Sequence, residues 1–397
     1  MTTDLSKAPE PTDSSGSTGS GGSISGAEIL LEDVVKQYPG QKSPAVGSLS
    51  LTIPAGEIVM FVGPSGCGKT TSLKMINRLI EPTSGTIKID GEDIRGKSET
   101  ELRRKIGYVI QGGSLFPHMT VEKNIALVPK LLGWDKKRID ERVDELLDLV
   151  SLDPGRYRKR YPRELSGGQQ QRVGVARGLA ADPPVILMDE PFGAVDPITR
   201  QRLQDELLSI QRELRKTIVC VTHDIDEAIK LGDRILILQE GAQIAQYDTP
   251  EVVLGAPATE FVADFIGSGS SLKQLSLARV SEVELRKPTT ATVGERVADV
   301  KQRAEAAGDR SVVVLDERGR PVGWPWLRQL KGDTVLEPTE DLVNIDLRST
   351  LNDALDTMLS SSHGGAVVTG DRDQYLGVVV FDAVTEHIRS LEEEARD

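Results

Sequence analysis

The sequence has 397 residues, of which 38% are hydrophobic, and 48 Lys and Arg stand against 61 Asp and Glu for a formal net charge of −13. This length and apolar content predict two or three globular domains, and the negative charge argues against nucleic acid as the main partner. Two cysteines are too few for a disulfide framework, and no apolar run approaches the roughly 20 residues that cross a bilayer.

The first residues and the first strands differ sharply in composition. Residues 1–27 are rich in Ser, Gly, Pro and Thr, which predicts a disordered tail. From Ile29 onward, β-rich runs alternate with helical patterns, which predicts an α/β fold with a mainly parallel sheet. The runs are IVMFV, TIKID, VILMD, TIVCVT and RILIL. Residues 137–150 predict an amphipathic helix, since one stripe carries Ile139, Val143, Leu146, Leu147 and Val150.

The first of these strands runs into a glycine-rich loop and then a helix. The loop matches G-x-x-x-x-G-K-[ST] at Gly63, Gly68, Lys69 and Thr70. We expect the backbone N–H groups of 64–70 to surround a phosphate, Lys69 to reach its outer oxygens and Thr70 to bind Mg²⁺. A purely structural glycine turn is the alternative, and the flanking strand and helix argue against it.

Other strand ends carry polar residues that suit the same chemistry. VILMDEP places Asp189 and Glu190 at a carboxyl end, where Asp189 can hold magnesium and Glu190 can act as general base. His223 closes a third apolar strand and is expected to sense the γ-phosphate, and Gln111 follows a fourth as a ligand of Mg²⁺ or of the attacking water. The alternatives are that the acidic pair caps the next segment, His223 caps a helix, and Gln111 is an ordinary loop residue.

A second helix start, LSGGQQQR at 165–172, has no catalytic residue of its own. Ser166 is a good N-cap, and Gly167 and Gly168 permit close approach to the free N–H groups of the helix. One chain already has its lysine, metal ligands and base. We therefore expect this cap to close on the γ-phosphate held by a second copy, in a head-to-tail dimer.

Together these motifs resemble the ATP-binding subunits of ABC transporters, over residues 28 to about 265. The resemblance rests on Tyr38, GPSGCGKT, Gln111, LSGGQQQR, VILMDEP, GAVD and His223, and departs from the family at Gly193, where Ser is usual, and in QQQR. It implies a P-loop NTPase with a RecA-like core, an antiparallel β subdomain and a helical subdomain, with ATP and Mg²⁺ as cofactors. Tyr38 is expected to stack on adenine, and Asp196 to lie at the dimer interface.

The resemblance assigns these roles residue by residue. Catalysis falls to Glu190, His223 and Gln111, and Mg²⁺ to Thr70, Gln111 and Asp189. Nucleotide contacts are expected from Tyr38, Gly63, Pro64, Ser65, Gly66, Cys67, Gly68, Lys69, Thr70, Thr71, Ser166, Gly167, Gly168, Gln169 and Asp196.

Residues 111–134 and 257–280 resemble osmoprotectant importers that take up glycine betaine, carnitine, choline or related quaternary amines. The implied partners are a second copy of the chain, integral membrane permease subunits and, indirectly, a solute-binding protein. The implied place is the cytoplasmic face of the membrane, as a peripheral subunit. Two alternatives are the ATPase of another ABC importer or exporter, and a soluble ABC ATPase.

After the ATP-binding domain (28–266) and a linker (267–283), the sequence contains a weak repeat. A shift of 54 residues pairs 311–319 with 365–373 and Gly323 with Gly377, as two βαβ-like units. Residues 284–392 resemble a tandem pair of CBS domains (about 284–338 and 339–392), before an acidic tail at 393–397.

The resemblance implies a regulatory module. A regulatory nucleotide, an anionic lipid and ionic strength are alternative signals. The sequence departs from the nucleotide-binding pattern of these domains at Val380 and Asp382.

Overall fold

The structure is a computed structural model, and it describes residues 26–110, 115–193, 195–267, 273–338 and 342–394, with side chains to residue 390. Most of the predicted N-terminal tail lies outside the described residues, and so does Gln111. Within the described residues, no helix is both long and apolar enough to span a membrane.

The N-terminal part contains two sheets with helices around them. Its strands are β1 (Ile29–Lys36), β2 (Val46–Ile53), β3 (Ile58–Val62), β4 (Ser84–Ile89), β5 (Glu92–Asp93), β6 (Ile106–Val109), β7 (Val185–Asp189), β8 (Thr217–Val221), β9 (Arg234–Gln239) and β10 (Gln243–Asp248). Its helices are α1 (Lys69–Ile76), α2 (Glu99–Arg104), α3 (Val121–Ile125), α4 (Leu127–Leu131), α5 (Lys136–Leu149), α6 (Pro154–Tyr157), α7 (Gly167–Leu179), α8 (Pro197–Leu214), α9 (Ile225–Leu231), α10 (Pro250–Gly255) and α11 (Glu260–Ile266).

The larger sheet has the order β10-β9-β3-β8-β7-β6. Neighbours from β9 to β6 are parallel, and only β10 pairs antiparallel. β3 and β8 are buried at every position, as expected for strands covered on both faces. The predicted, mainly parallel sheet is confirmed.

The second sheet, β2-β1-β4-β5, is antiparallel throughout. It contains the run TIKID, which the sequence analysis had grouped with the parallel strands. That grouping was wrong, because an apolar run shows that a strand is buried and does not show which sheet it joins.

Helices α3 to α7 form the helical subdomain between β6 and β7. The predicted stripe of α5 is confirmed: Ile139, Val143, Leu146 and Leu147 are buried, and Val150 is buried just after the helix. α7 packs its Val173, Ala176 and Leu179 into the same core.

The C-terminal part contains two copies of a β-α-β-β unit. The first comprises β11 (Thr290–Thr292), α12 (Val297–Ala307), β12 (Val313–Leu315) and β13 (Pro321–Gly323); the second comprises β14 (Asn344–Asp346), α13 (Leu351–Ser360), β15 (Gly365–Thr369) and β16 (Tyr375–Val380). The strands of the two copies begin 54 residues apart, which is the shift read from the sequence. The second copy adds a helix, α14 (Phe381–Glu394).

Three predicted boundaries need correction. Ala27 is 5% exposed and its carbonyl accepts a hydrogen bond from Thr217 Oγ1, so the folded domain includes residues assigned to the tail. Part of the predicted linker is core: Leu275 and Val280 are buried with the second repeat, and Val280 N donates to Ser349 O. α14 continues to Glu394, past the predicted start of the acidic tail. Contacts with distant residues fix these segments, so local composition misses them.

Candidate active site

The carboxyl ends of four parallel strands meet at one edge of the larger sheet. β3 leads into the loop 63–68, β7 ends at Asp189, and β8, which lies between them, leads to His223. β6 leads to Ile110, which is 41% exposed, and then to Gln111, outside the described residues. Three of the four predicted strand ends are therefore adjacent, as the sequence analysis expected.

The loop after β3 depends on glycine at defined positions. Gly63, Gly66 and Gly68 have φ values of 146°, 82° and 112°. A Cβ at Gly63 would lie 2.2 Å from the Leu238 carbonyl oxygen, and one at Gly68 would lie 2.7 Å from that of Ala45. Both contacts are with backbone, which cannot move aside, so side chains are excluded at both positions.

Lys69 begins α1 and lies across the loop. Its side chain is 7% exposed, and its Nζ donates to the carbonyl oxygens of Gly63 at 2.7 Å and Pro64 at 3.0 Å. The rim formed by residues 64–66 is exposed, whereas Cys67 is buried with its Sγ 3.7 Å from Lys69 Nζ. A cation is thus held at the mouth of a loop with outward-facing backbone, an arrangement suited to an anion.

The two described residues predicted to bind Mg²⁺ are in contact. Thr70 Oγ1 donates to Asp189 Oδ1 at 2.9 Å. A hydroxyl and a carboxylate are oxygen ligands of the kind Mg²⁺ uses, with phosphate and water supplying the rest. Burial, with a contribution from the Asp189 charge, raises the pKa of nearby Tyr108 to about 12. The residues present therefore fit a nucleotide-bound magnesium ion.

Glu190 and His223 form a second pair at the same edge. Glu190 Oε1 lies 3.4 Å from His223 Nδ1, and their side chains are 30% and 66% exposed. Glu190 has a φ of 45°, which is unusual for a residue with a side chain, and its amide donates to Val221 O at 2.9 Å. That bond to β8 fixes the turn that presents the carboxylate beside the imidazole.

The cap of α7 has the predicted form. Ser166 Oγ accepts from the Gln169 amide at 3.3 Å, and the Ser166 amide donates to Gln169 Oε1 at 3.0 Å, which is a capping box. Gln169 Nε2 also donates to Tyr157 OH at 3.1 Å. Ser166 and Gly167 are exposed, so the first amides of the helix face outward.

Tyr38 and Asp196 lie outside this strand-end cluster. Tyr38 follows β1 with Lys36 Nζ 5.2 Å from its ring centroid, and its loop continues to Ala45, which adjoins Gly68. Asp196 is exposed and caps α8 by accepting from the Thr199 amide at 3.1 Å. Hydrogen bonds from the Thr199 side chain and amide lower the pKa of Asp196.

The sequence analysis missed a polar group directly behind His223. Glu227 is 7% exposed and accepts a hydrogen bond from Thr222 Oγ1. Burial is the main reason that the pKa of Glu227 is raised. A glutamate in the first turn of a helix after an apolar strand was the available signal, and it also fits an ordinary helix start.

The parallel sheet, the glycine loop with Lys69 and the adjoining Thr70–Asp189 and Glu190–His223 pairs define a P-loop nucleoside triphosphatase. A family model described as "ABC transporter" matches residues 46–193. The osmoprotectant import ATP-binding protein OsmV of Salmonella typhimurium is 49% identical over 76% of this chain and 80% of its own length. The chain belongs to the ATP-binding subunits of ABC transporters, which hydrolyse ATP to power transport.

Two further likenesses extend this comparison. The glycine betaine/carnitine/choline transport ATP-binding protein OpuCA of Bacillus subtilis is 55% identical over 73% of this chain and 76% of its own length. Among solved structures, the dimeric ATP-binding cassette MJ0796 in a post-hydrolysis state with ADP and Pi is similar with a TM-score of 0.51. It is 36% identical and covers 56% of this chain and 98% of that one.

Proposed function

We propose that this chain powers the import of a quaternary-amine osmoprotectant, such as glycine betaine, carnitine or choline, through a membrane permease. The names of relatives 49% and 55% identical support this solute class. The permease and a solute-binding protein select the solute, and the chain acts from the cytoplasmic face as a peripheral subunit. The observation that carries the ATPase part of the proposal is that one chain holds a complete Lys69–Asp189–Glu190 centre and a separate, exposed Ser166 cap.

The described residues divide the work on ATP. Tyr38 stacks on the adenine, and the loop of Gly63, Pro64, Ser65, Gly66, Cys67 and Gly68 surrounds the phosphates with its amides. Lys69 turns from the carbonyls of its own loop to the β and γ oxygens, because an anionic acceptor makes a stronger, charge-assisted hydrogen bond. Thr71 supports the loop at the start of α1. Mg²⁺, held by Thr70 and Asp189 and by Gln111, neutralises charge on the phosphates.

Glu190 is the general base in this proposal. Its carboxylate takes a proton from the attacking water as the water adds to the γ-phosphorus. His223, 3.4 Å from that carboxylate, donates to a γ-phosphate oxygen and fixes the direction of attack. Burial at this edge keeps the local dielectric low, as the raised pKa of Tyr108 indicates, which strengthens each of these interactions.

The nucleotide is completed by a second copy of the chain. The hydrogen-bond partners of Ser166 and Gln169 lie within their own cap and at Tyr157, which leaves the outward amides of Gly167 and Gly168 for a γ-phosphate. Asp196, exposed at the start of α8, contacts the partner beside this site. The similarity to a dimeric cassette with ADP and Pi supports a head-to-tail dimer.

Mixing two inactive variants tests the composite site. Lys69→Ala and Ser166→Glu chains should each hydrolyse ATP slowly, and their equimolar mixture should recover about a quarter of the parental rate. Half of the random dimers are mixed, and each mixed dimer has one intact site of two. Steady-state ATP hydrolysis measures the recovery.

The control for this experiment mixes Lys69→Ala with a chain that carries both substitutions. None of these dimers has an intact loop, so no activity should return. A failure of the first mixture to exceed its components would contradict a site shared between two chains.

Uptake of labelled glycine betaine tests the solute class. In proteoliposomes with the cognate permease and solute-binding protein, ATP on the side of this chain should drive accumulation of the label, and the Glu190→Gln subunit should not. Carnitine and choline should compete with the label. ATP hydrolysis without accumulation of any of the three solutes would show that the chain serves another transporter.

The repeated C-terminal module is proposed to regulate the ATPase as a tandem CBS pair. A cavity of about 550 Å³ lies between the two repeats, lined by Trp324, Thr357 and His363 among others. The imidazole of His363 stacks against Trp324 with their ring centroids 4.4 Å apart. Such a cavity could take a regulatory nucleotide, whereas basic surface residues could answer to an anionic lipid or to ionic strength.

A further inference from the structure

Two polar side chains of α8 follow its capping residue on one face. Arg200 and Gln204 come four and eight residues after Asp196, a spacing that aligns them along the helix. Arg200 Nη1 lies 3.5 Å from Asp224 Oδ2, and Gln204 Nε2 donates to Glu227 Oε1 over a long 3.5 Å. The face that begins at Asp196 therefore contacts the start of α9 twice.

These contacts hold both chain neighbours of His223. Thr222 is 2% exposed and its hydroxyl donates to Glu227, while the Asp224 amide donates to Thr222 Oγ1 at 3.2 Å. Asp224 also caps α9, accepting from the amides of Asp226 and Glu227. His223 itself is the exposed residue between two anchored ones, so its position depends on these anchors.

A buried carboxylate is a poor choice if it serves only to stabilise the fold. Glu227 is nearly enclosed, and its one cationic neighbour of note, Arg200, is shared with Asp224. Asp224 and the buried Cys220 of β8 face it without offering positive charge. An apolar side chain of similar size would avoid the desolvation of the carboxylate. A requirement at the adjoining reaction site explains its presence better.

We propose that Glu227, supported by Gln204 and Arg200 of α8, is a positioning residue for His223. By accepting from Thr222 it fixes the turn 222–224, and this keeps the imidazole in line with Glu190 and the γ-phosphate. Because α8 starts at Asp196, at the proposed dimer interface, a shift of that helix on closure reaches the turn through the same contacts. The inference rests on the proposed role of His223 in ATP hydrolysis.

Removing the acceptor tests this role. Glu227→Leu should lower kcat by roughly tenfold or more and leave KM for ATP within about twofold, since a misplacement of about 1 Å in a reacting group can lower a rate on the order of a hundredfold. Glu227→Gln keeps an oxygen acceptor for Thr222 and should restore most of kcat. If Glu227→Leu fails to fold, Thr222→Val removes the same hydrogen bond with little change in shape and should give the same loss.

A double-mutant cycle separates positioning from a general structural effect. In a His223→Ala chain, Glu227→Leu should have no further effect on kcat, because it acts through the imidazole. An equal loss in both backgrounds, or an unchanged kcat in the single variant, would overturn the inference. If His223→Ala alone hydrolyses ATP at the parental rate, the proposed function itself is wrong about His223.

Glu206 offers a matched control on the same helix. It is also a partly buried glutamate whose pKa burial raises, but it pairs with Arg172 at 3.1 Å, away from His223. Glu206→Gln should leave kcat at the parental value. A loss of kcat in this control as large as that in Glu227→Leu would assign the effect to buried charge in general and would overturn the inference.

Discussion

Glu190→Gln is expected to slow ATP hydrolysis by about 10²- to 10⁴-fold, the range for loss of a general base, with little change in ATP affinity. The amide has the size of the carboxylate but cannot take a proton from water. The binding residues Lys69 and Thr70 are untouched, so nucleotide affinity and dimer closure should persist. Single-turnover hydrolysis and equilibrium ATP binding measure the two properties.

The geometry makes this substitution selective. The turn at Glu190 is fixed by its amide bond to Val221 O and not by the carboxylate, so the backbone should keep its course in the variant. Glu213→Gln, an exposed position on α8, is the control and should hydrolyse ATP normally. Turnover by Glu190→Gln at the parental rate would show that another group takes the proton.

Lys69→Ala should weaken ATP binding by about 3 kcal/mol, on the order of a hundredfold, because two charge-assisted hydrogen bonds to phosphate are lost. The loop itself should survive. Its shape comes from the left-handed φ values of Gly63, Gly66 and Gly68 and from the bond between Ala242 N and Cys67 O at 2.7 Å. Equilibrium titration with a fluorescent ATP analogue measures the affinity, and thermal unfolding verifies the fold.

Lys74→Ala is the control for Lys69→Ala, since it removes a lysine from the same helix at its far end. Its affinity for ATP should match that of the parent. A Lys69→Ala chain that binds ATP as tightly as the parent would contradict the phosphate site. A chain that loses its fold would show that the buried ammonium organises the loop.

The sequence predicted the parts of the site that depend on local pattern. The loop 63–70 could be identified because spacing, flanking strand and following helix agree, and these conditions are short range. Asp189 and His223 were predicted to meet because parallel strands end at one edge, and β8 does lie between β3 and β7. The 54-residue repeat was visible because both copies keep the same order of strands and helix.

What the sequence did not predict depends on contacts between distant residues. Glu227 receives its meaning from Thr222 and from Gln204, and the 23 residues between Gln204 and Glu227 contain a strand and a turn. Leu275 and Val280 looked like linker until the second repeat covered them. The sheet joined by 86–90 was misassigned for a related reason, since strand pairing is a property of the partner as much as of the run.

The place of β3 in the sheet also bears on how the chain is made. Its two neighbours are β8 and β9, which follow it by more than 150 residues. At synthesis rates of about 5–20 residues per second, the strand that carries the phosphate loop waits roughly 8–30 s after leaving the ribosome before either neighbour exists. A nascent chain therefore cannot hydrolyse ATP prematurely, and its exposed apolar strand is a natural client for chaperones until translation reaches residue 239.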